Sequence, residues 1–365
     1  MPPTQATTGR FAYRGDPPEQ TPLLRRLAET SAVEPLLRKW REHGSPGLID
    51  ANGKIRNVFT KSISGREDPV SQVIREINAV PEAVADFEAA WQASEQFDAI
   101  HRPRRDLEVL NARELTAPSL DTNGFVLAQH TSRVHDWTDE QQIATVYYEE
   151  MAALVKRLTG ARYAFANNHL RRVSQPATGG DGPLARLMAQ SRGPVLGPHN
   201  DFTDTYGEGL IRTVAAGGEP HTQTFGLTEA MLAADITEDQ LRDSRILVIN
   251  TWRSVGAEPL RRYPLAVADR RTVPPESLGR FTIGKRPSGE PRGGIEVFSA
   301  TYAPEHRWYY YPEMTPTEVL LWKGYDSAEA PPRPTLHTAF EDLNTPADAA
   351  ERESVEARVL CLLDA

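Results

Sequence analysis

The chain has 365 residues, 39% hydrophobic, 25% charged and 8% aromatic, which is the composition of a globular protein with a real core and not of a disordered chain. Its 41 basic and 50 acidic residues leave a net charge of -9, a field that repels a phosphate backbone, so nucleic acid is not expected as a partner. The one cysteine, Cys361, allows neither an internal disulfide nor a thiolate zinc cluster, and no apolar run approaches the length of a bilayer span, so no membrane association is expected and the reading is a cytoplasmic protein.

Residues 1–22 are rich in Pro, Thr and Gly and read as a flexible N-terminal arm. Residues 23–365 read as a single catalytic domain with a helical part over about 23–100 and a β core over about 105–362. Helices are expected over 22–43 and over 68–99, where Val73, Ile74, Ile77, Val80, Val84, Phe87 and Trp91 recur at three- and four-residue steps, broken at Pro81. Short strands follow over 106–130, with Asp121-Thr-Asn-Gly124 as a turn. The strongest helical pattern covers 138–159. Thr138 and Gln141 form a capping box, Ile143, Tyr147, Met151, Leu154 and Leu158 share a face, and Gly160 ends it.

Eight β-type segments complete the chain, at 163–167, 223–227, 245–252, 262–268, 294–302, 308–311, 319–323 and 355–362. The 25 glycines and 29 prolines break them into strands and turns. The fold class is therefore mainly β with flanking helices (α+β), a double-stranded β-helix (jelly-roll or cupin-like) core buttressed by α-helices.

Among nine histidines, only His199 stands in a His-x-Asp triplet, with Asp201. In an extended segment, positions two apart project from one face and can hold one ion together. Imidazole and carboxylate suit a borderline divalent metal, and two histidines with one carboxylate make the facial triad of non-haem Fe(II) oxygenases. A candidate third ligand is His337, 138 residues downstream, since a jelly roll brings distant strands together. Arg352 and Arg358 lie 15 and 21 residues beyond His337, and either can clamp a carboxylate such as that of 2-oxoglutarate.

Ordered motifs then carry a resemblance. They are Gly124-Phe125, Tyr147-Tyr148-Glu149-Glu150, Pro198-His199-Asn200-Asp201-Phe202-Thr203, Ile249-Asn250-Thr251-Trp252-Arg253, Pro264-Leu265-Ala266-Val267-Ala268-Asp269, Trp308-Tyr309-Tyr310-Tyr311-Pro312-Glu313-Met314, Lys323-Gly324-Tyr325-Asp326-Ser327 and His337-Thr338-Ala339-Phe340-Glu341-Asp342. Over about 105–362 the chain resembles the CmcJ-type hydroxylase/desaturase family, which includes a component of cephamycin 7α-methoxylation. The resemblance implies Fe(II) held by His199, Asp201 and His337, with 2-oxoglutarate and O2 as cosubstrates and a small-molecule, secondary-metabolite substrate. Two departures, Ser254 after Trp252-Arg253 and Leu343 after Glu341-Asp342, bear on substrate choice and not on the ligands.

Candidates for the substrate pocket are Asn250, Trp252, Arg253, His169, Lys323 and Tyr325, with strand alternation placing Asn250 and Trp252 on one face and Arg253 on the other. In the aromatic run 308–311 at most alternate rings can face a cavity, and His221 and His306 read as surface residues in turns. Two rival functions share these residues: a metal-dependent hydrolase with Zn2+ at the same site, and a cupin-like binding protein without chemistry.

Overall fold

A computed structural model describes residues 6–14, 104–174, 193–216, 231, 234–283 and 295–364. The expected helices at 22–43 and 68–99, the segment 223–227 and His221 lie outside the described residues.

In chain order the elements are β1 (Ala6–Ala12), β2 (Arg104–Asn111), β3 (Phe125–Gln129), α1 (Tyr148–Thr159), β4 (Tyr163–Val173) and β5 (His199–Asn200). Then come α2 (Tyr206–Ala215), α3 (Glu238–Arg242), β6 (Ser244–Ser254), β7 (Leu265–Ala268), β8 (Leu278–Ile283) and β9 (Ile295–Ala300). The chain ends with β10 (Trp308–Tyr310), β11 (Glu318–Asp326), β12 (His337–Ala339), β13 (Glu341–Asp342) and β14 (Glu353–Asp364). They form a nine-stranded sheet of order β13-β1-β2-β10-β7-β12-β5-β9-β8 and a five-stranded sheet of order β3-β11-β6-β14-β4. The two sheets are the walls of a jelly roll.

Within the arm expected at 1–22, residues 6–12 are a sheet strand. β1 pairs along its length with β2 and at its middle with β13, and Ala12 N donates to Leu196 O just before the segment that carries His199. Its alternate residue Phe11 stacks on Phe340 and is fully buried, and that burial outweighs the turn-forming composition around it.

The helix that ends in α1 starts one residue later than its sequence suggests. Asp139 is the cap: its Oδ1 accepts from Gln141 N and Gln142 N, and Gln142 Nε2 donates back to its Oδ2. A π-turn over Ile143–Tyr147 then widens the helix before α1, which Gly160 closes at φ 71°. Ile143, Tyr147, Met151, Leu154 and Val155 pack on the sheet, while Leu158, in the last turn of α1, is 43% exposed.

Alternation along the five-stranded sheet sets what lies inside the barrel. Leu247 and Ile249 of β6, Leu321 of β11 and Val355, Ala357 and Val359 of β14 face outward against α1. Ile246 and Val248 of β6 and Leu360 and Leu362 of β14 face inward, where Phe202, Tyr206, Leu210 and Leu241 fill one end of the barrel. A second apolar group, with Trp252, Leu265, Val267, Leu320 and Trp322, fills the other. Between the two groups the inward positions become polar: Asn250 on β6 pairs with Arg358 on β14, and Glu356 and Ser354 follow at two-residue steps. Among the described residues, no helix is long and apolar enough to cross a membrane.

Candidate metal centre

His199 lies on β5 and His337 on β12, and the two are direct cross-strand partners, so sheet register alone sets the rings side by side, 4.3 Å between centroids. Asp201 follows β5 on the same face as His199. One ligand atom from each of His199, Asp201 and His337 lies within 4.8 Å of the others. Among the described residues the three form a group able to hold a metal ion.

The protonation states suit that task. His199 Nδ1 lies 2.7 Å from Gly197 O, which can only accept, so Nδ1 carries a proton and Nε2 is the ring nitrogen that faces Asp201 Oδ1, 3.7 Å away. His337 is 3% exposed; burial, with the neighbouring His199, pushes its pKa well below the usual value and keeps the ring neutral. Its Nδ1 has no hydrogen-bond partner, a buried donor-acceptor atom that a bound cation can satisfy. Burial alone would raise the pKa of Asp201, but the Arg358 guanidinium, by its charge and its hydrogen bonds, outweighs it and holds the carboxyl ionised. Two imidazoles and one carboxylate are the donor set of a divalent cation such as Fe(II) or Zn2+.

Around this group stand residues from β6, β11 and β14. Arg358 donates from Nε (2.9 Å) and Nη2 (2.7 Å) to Asp201 Oδ2, and Asn250 Nδ2 donates to the same oxygen at 2.7 Å. Glu356 Oε1 lies 3.0 Å from Arg358 Nη2 and 3.2 Å from Asn250 Nδ2, and burial raises its pKa. Arg352 is 1% exposed; its guanidinium carbon sits 5.0 Å over the Trp252 ring, with Nη1 on Tyr263 O and Nε on Ser354 Oγ.

Of the pocket candidates, Asn250 and Trp252 face the interior as alternation requires, and Tyr325 reaches it edge-on to Tyr206. The other three do not join the site. Arg253 points outward to His130, with its guanidinium over Trp137 and Tyr147. His169 also faces outward, hydrogen-bonded to Tyr148 and paired with Glu140. Lys323 is buried outside the barrel among Asp121, Asp326 and Glu329. His306, expected at the surface, is 8% exposed and bonded to Tyr13 and Ser277.

Three contributors escaped the reading of the sequence. Trp322 packs its ring 4.5 Å from that of His337, Arg172 turns into the barrel to donate to Gly193 O, and Glu356 holds the donors to Asp201. Period-two alternation carried a signal for two of them, because Trp322 lies two residues from Leu320 and Glu356 two from Arg358 on inward faces, whereas the register slip on β4 hid Arg172.

A family model described as YDMC, oxidoreductase/YMDC permease-like domain, matches residues 78–362. The chain belongs to that oxidoreductase family. Similar curated proteins include hydroxylase/desaturase efuI of Hormonema carpetanum, 31% identical over 256 residues that make up 66% of this chain and 78% of that one. Another is the Fe(II)/2-oxoglutarate-dependent dioxygenase nvfI of Aspergillus novofumigatus, 28% identical over 261 residues, 71% of this chain and 80% of that one. The solved structure of the iron and alpha-ketoglutarate-dependent endoperoxidase NvfI superposes with a TM-score of 0.55 at 24% identity, covering 72% of this chain and 87% of that one. That likeness bears out the jelly-roll fold, and the relatives' names bear out the resemblance to hydroxylases and desaturases.

Proposed function

We propose that this oxidoreductase is an Fe(II)- and 2-oxoglutarate-dependent oxygenase that oxidises an unactivated carbon of a small secondary metabolite. The observation that carries this reading is the convergence of His199, Asp201 and His337 in the barrel, with a buried guanidinium, Arg352, in the same interior. The names of the relatives, hydroxylases, desaturases and dioxygenases, point the same way.

When bound, Fe(II) with 2-oxoglutarate and O2 supplies the oxidising power, and the cosubstrate leaves as succinate and CO2. His199, Asp201 and His337 are the residues that would hold the ion. Arg352 is the better anchor for the far carboxylate of 2-oxoglutarate, because the fork of Arg358 is already engaged by Asp201 and Glu356. Trp252 orients Arg352 by stacking beneath it. Trp322 and the apolar groups at either end of the barrel keep water from the reacting centre. Whether the outcome is hydroxylation, desaturation or ring closure depends on how the pocket holds the substrate's neighbouring atoms against the metal. We also place the protein in the cytoplasm, a reading supported by its one buried, unpaired cysteine.

The test is an anaerobic titration of metal-free protein with Fe(II) and then 2-oxoglutarate. The expected result is a weak visible charge-transfer band, followed by succinate release on admission of O2. Iron bound without that band would argue against 2-oxoglutarate, and Zn2+-dependent ester cleavage in its place would favour the hydrolase.

A further inference from the structure

We infer that a cleft on the outer side of the barrel is a binding site for a small oxyanion. It lies between the turn at 121–122, the residues that follow β7 and the connection from β11 to β12, and no residue of the metal centre lines it. Its volume is about 250 Å³, and Arg270, Arg271, Arg333, Asp121 and Glu329 supply its charged walls. Drug-sized ligands begin to fit at roughly 300 Å³, so the cleft suits the sulfate, phosphate or carboxylate end of a small molecule.

Arg270 carries the argument. The residue is 5% exposed, and its stem is wedged against Gly124, where a Cβ would lie 2.9 Å from Arg270 Cδ. Its Nη2 donates to Glu329 Oε2, but its Nη1 is buried with no hydrogen-bond partner. A charged donor kept from water without an acceptor is costly, and a bound anion removes that cost. The two acids of the cleft are already committed: Lys323 Nζ, which faces outward from β11, lies 3.2 Å from Asp121 Oδ1 and 3.3 Å from Glu329 Oε1. Arg271 is tied back to Asp269, its Nε 2.9 Å from Oδ1. Arg333 is exposed and forms no ion pair among the described residues. The cleft therefore holds one fixed guanidinium with a donor unused and a second whose charge is unmatched. An oxyanion accepting from Arg270 Nη1 and from Arg333 completes both.

Sulfate and acetate are the probes, titrated separately into the full chain by calorimetry at low ionic strength, where screening is weak. Saturable one-site binding is expected for at least one of them. Tighter sulfate points to a sulfate or phosphate group in the natural ligand, and tighter acetate to a carboxylate. Arg333→Ala, at an exposed position, should weaken binding roughly tenfold, the loss of one charged hydrogen-bond partner. Arg270→Met should abolish it, and Arg333→Ala keeps the test decisive where freeing Glu329 perturbs folding. Arg352→Met removes the guanidinium inside the barrel and should leave the affinity at its parental value. Saturable binding of neither probe, or parental affinity in Arg333→Ala, would overturn the inference. So would loss of binding in Arg352→Met, which would move the anion into the barrel.

Discussion

Replacing Arg352 by methionine separates anchoring from folding, because at this position the two are opposed. The side chain is 1% exposed, its guanidinium carbon lies 5.0 Å over Trp252, and it donates to Tyr263 O at 2.8 Å and Ser354 Oγ at 3.0 Å. Burial, with Arg172 nearby, pulls its pKa down from 12.5 to about 9. It stays charged at neutral pH, at a cost of about 5 kcal/mol relative to water. Two charged hydrogen bonds and the stack on Trp252 return about 4 kcal/mol. Methionine is apolar and of similar length, so the ligand-free variant should lie within about 2 kcal/mol of the parent in urea unfolding. A bound 2-oxoglutarate, by contrast, loses a desolvated charge partner worth about 2–5 kcal/mol, or roughly thirty- to several-thousand-fold in dissociation constant. The assay is calorimetric titration of 2-oxoglutarate into the Mn(II)-loaded protein. Near-parental affinity in Arg352→Met would refute the assignment, and if the variant were also strongly destabilised, Arg352 would be a strut between Trp252 and Tyr263.

His337→Ala should lose Mn(II) affinity by about a hundredfold or more while the two cross-strand bonded sheets persist, since the imidazole lies beside the core clusters and not within them; far-ultraviolet circular dichroism with metal titration checks both halves. Leu154→Ala, on the buried face of α1 against Ile249 and Val359, should cost about 2–5 kcal/mol in urea unfolding, and a cost under about 1 kcal/mol would deny that this helix is part of the core. His306 has its pKa pushed down to about 4, chiefly by burial, from the usual 6.5. The unfolded chain therefore binds more protons between those values, so this residue's share of stability is whole above pH 6.5 and is lost as pH falls toward 4, by about 2 kcal/mol after solvent screening. Thermal unfolding across that range should be steeper in the parent than in His306→Gln; equal slopes would remove His306 as the cause.

What could be read from the sequence was whatever depends on neighbouring positions. The i, i+2 spacing of His199 and Asp201 needs only an extended backbone, and β5 supplies it. Gly124 ends its turn at φ 88°, where a Cβ would sit 2.2 Å from Thr335 Oγ1, so glycine is required there by both conformation and space. The strand β1 was hidden because its stability comes from pairing with residues about a hundred and more than three hundred positions away, through Leu110 to Arg104 and Glu341 to Asp342. The division of labour between Arg352 and Arg358 was also hidden. Both lie on β14 or at its start, and only the register against β6 shows that one meets Asp201 while the other reaches Trp252.

Arg253 lies outside by plain alternation, and the other two misplaced pocket residues, His169 and Lys323, share one physical cause. A strand read at period two predicts that His169 faces the same way as Tyr163 and Phe165, which do point into the barrel. β4 slips by one residue opposite Ala357 and Arg358, however, and the slip reverses the parity, so His169 emerges on the outer face beside Tyr148. The same event occurs on β11, where the pairing shifts between Lys323 and Tyr325. Two residues that strict alternation puts on one face are thereby split: Lys323 goes outward to Asp121, Asp326 and Glu329, and Tyr325 goes inward to Tyr206. Gly324 is the residue at the shift, and a Cβ there would press within 2.8 Å of Asn250 Oδ1 and 2.9 Å of Phe202. The bulge thus lets the backbone close on the very asparagine that holds Asp201. An isolated glycine within an apolar strand is the local mark of such a bulge. On β11 that mark stands in the sequence, so parity beyond Gly324 could have been inverted from the residues alone. On β4 no glycine marks the slip, and only the partner strand defines it.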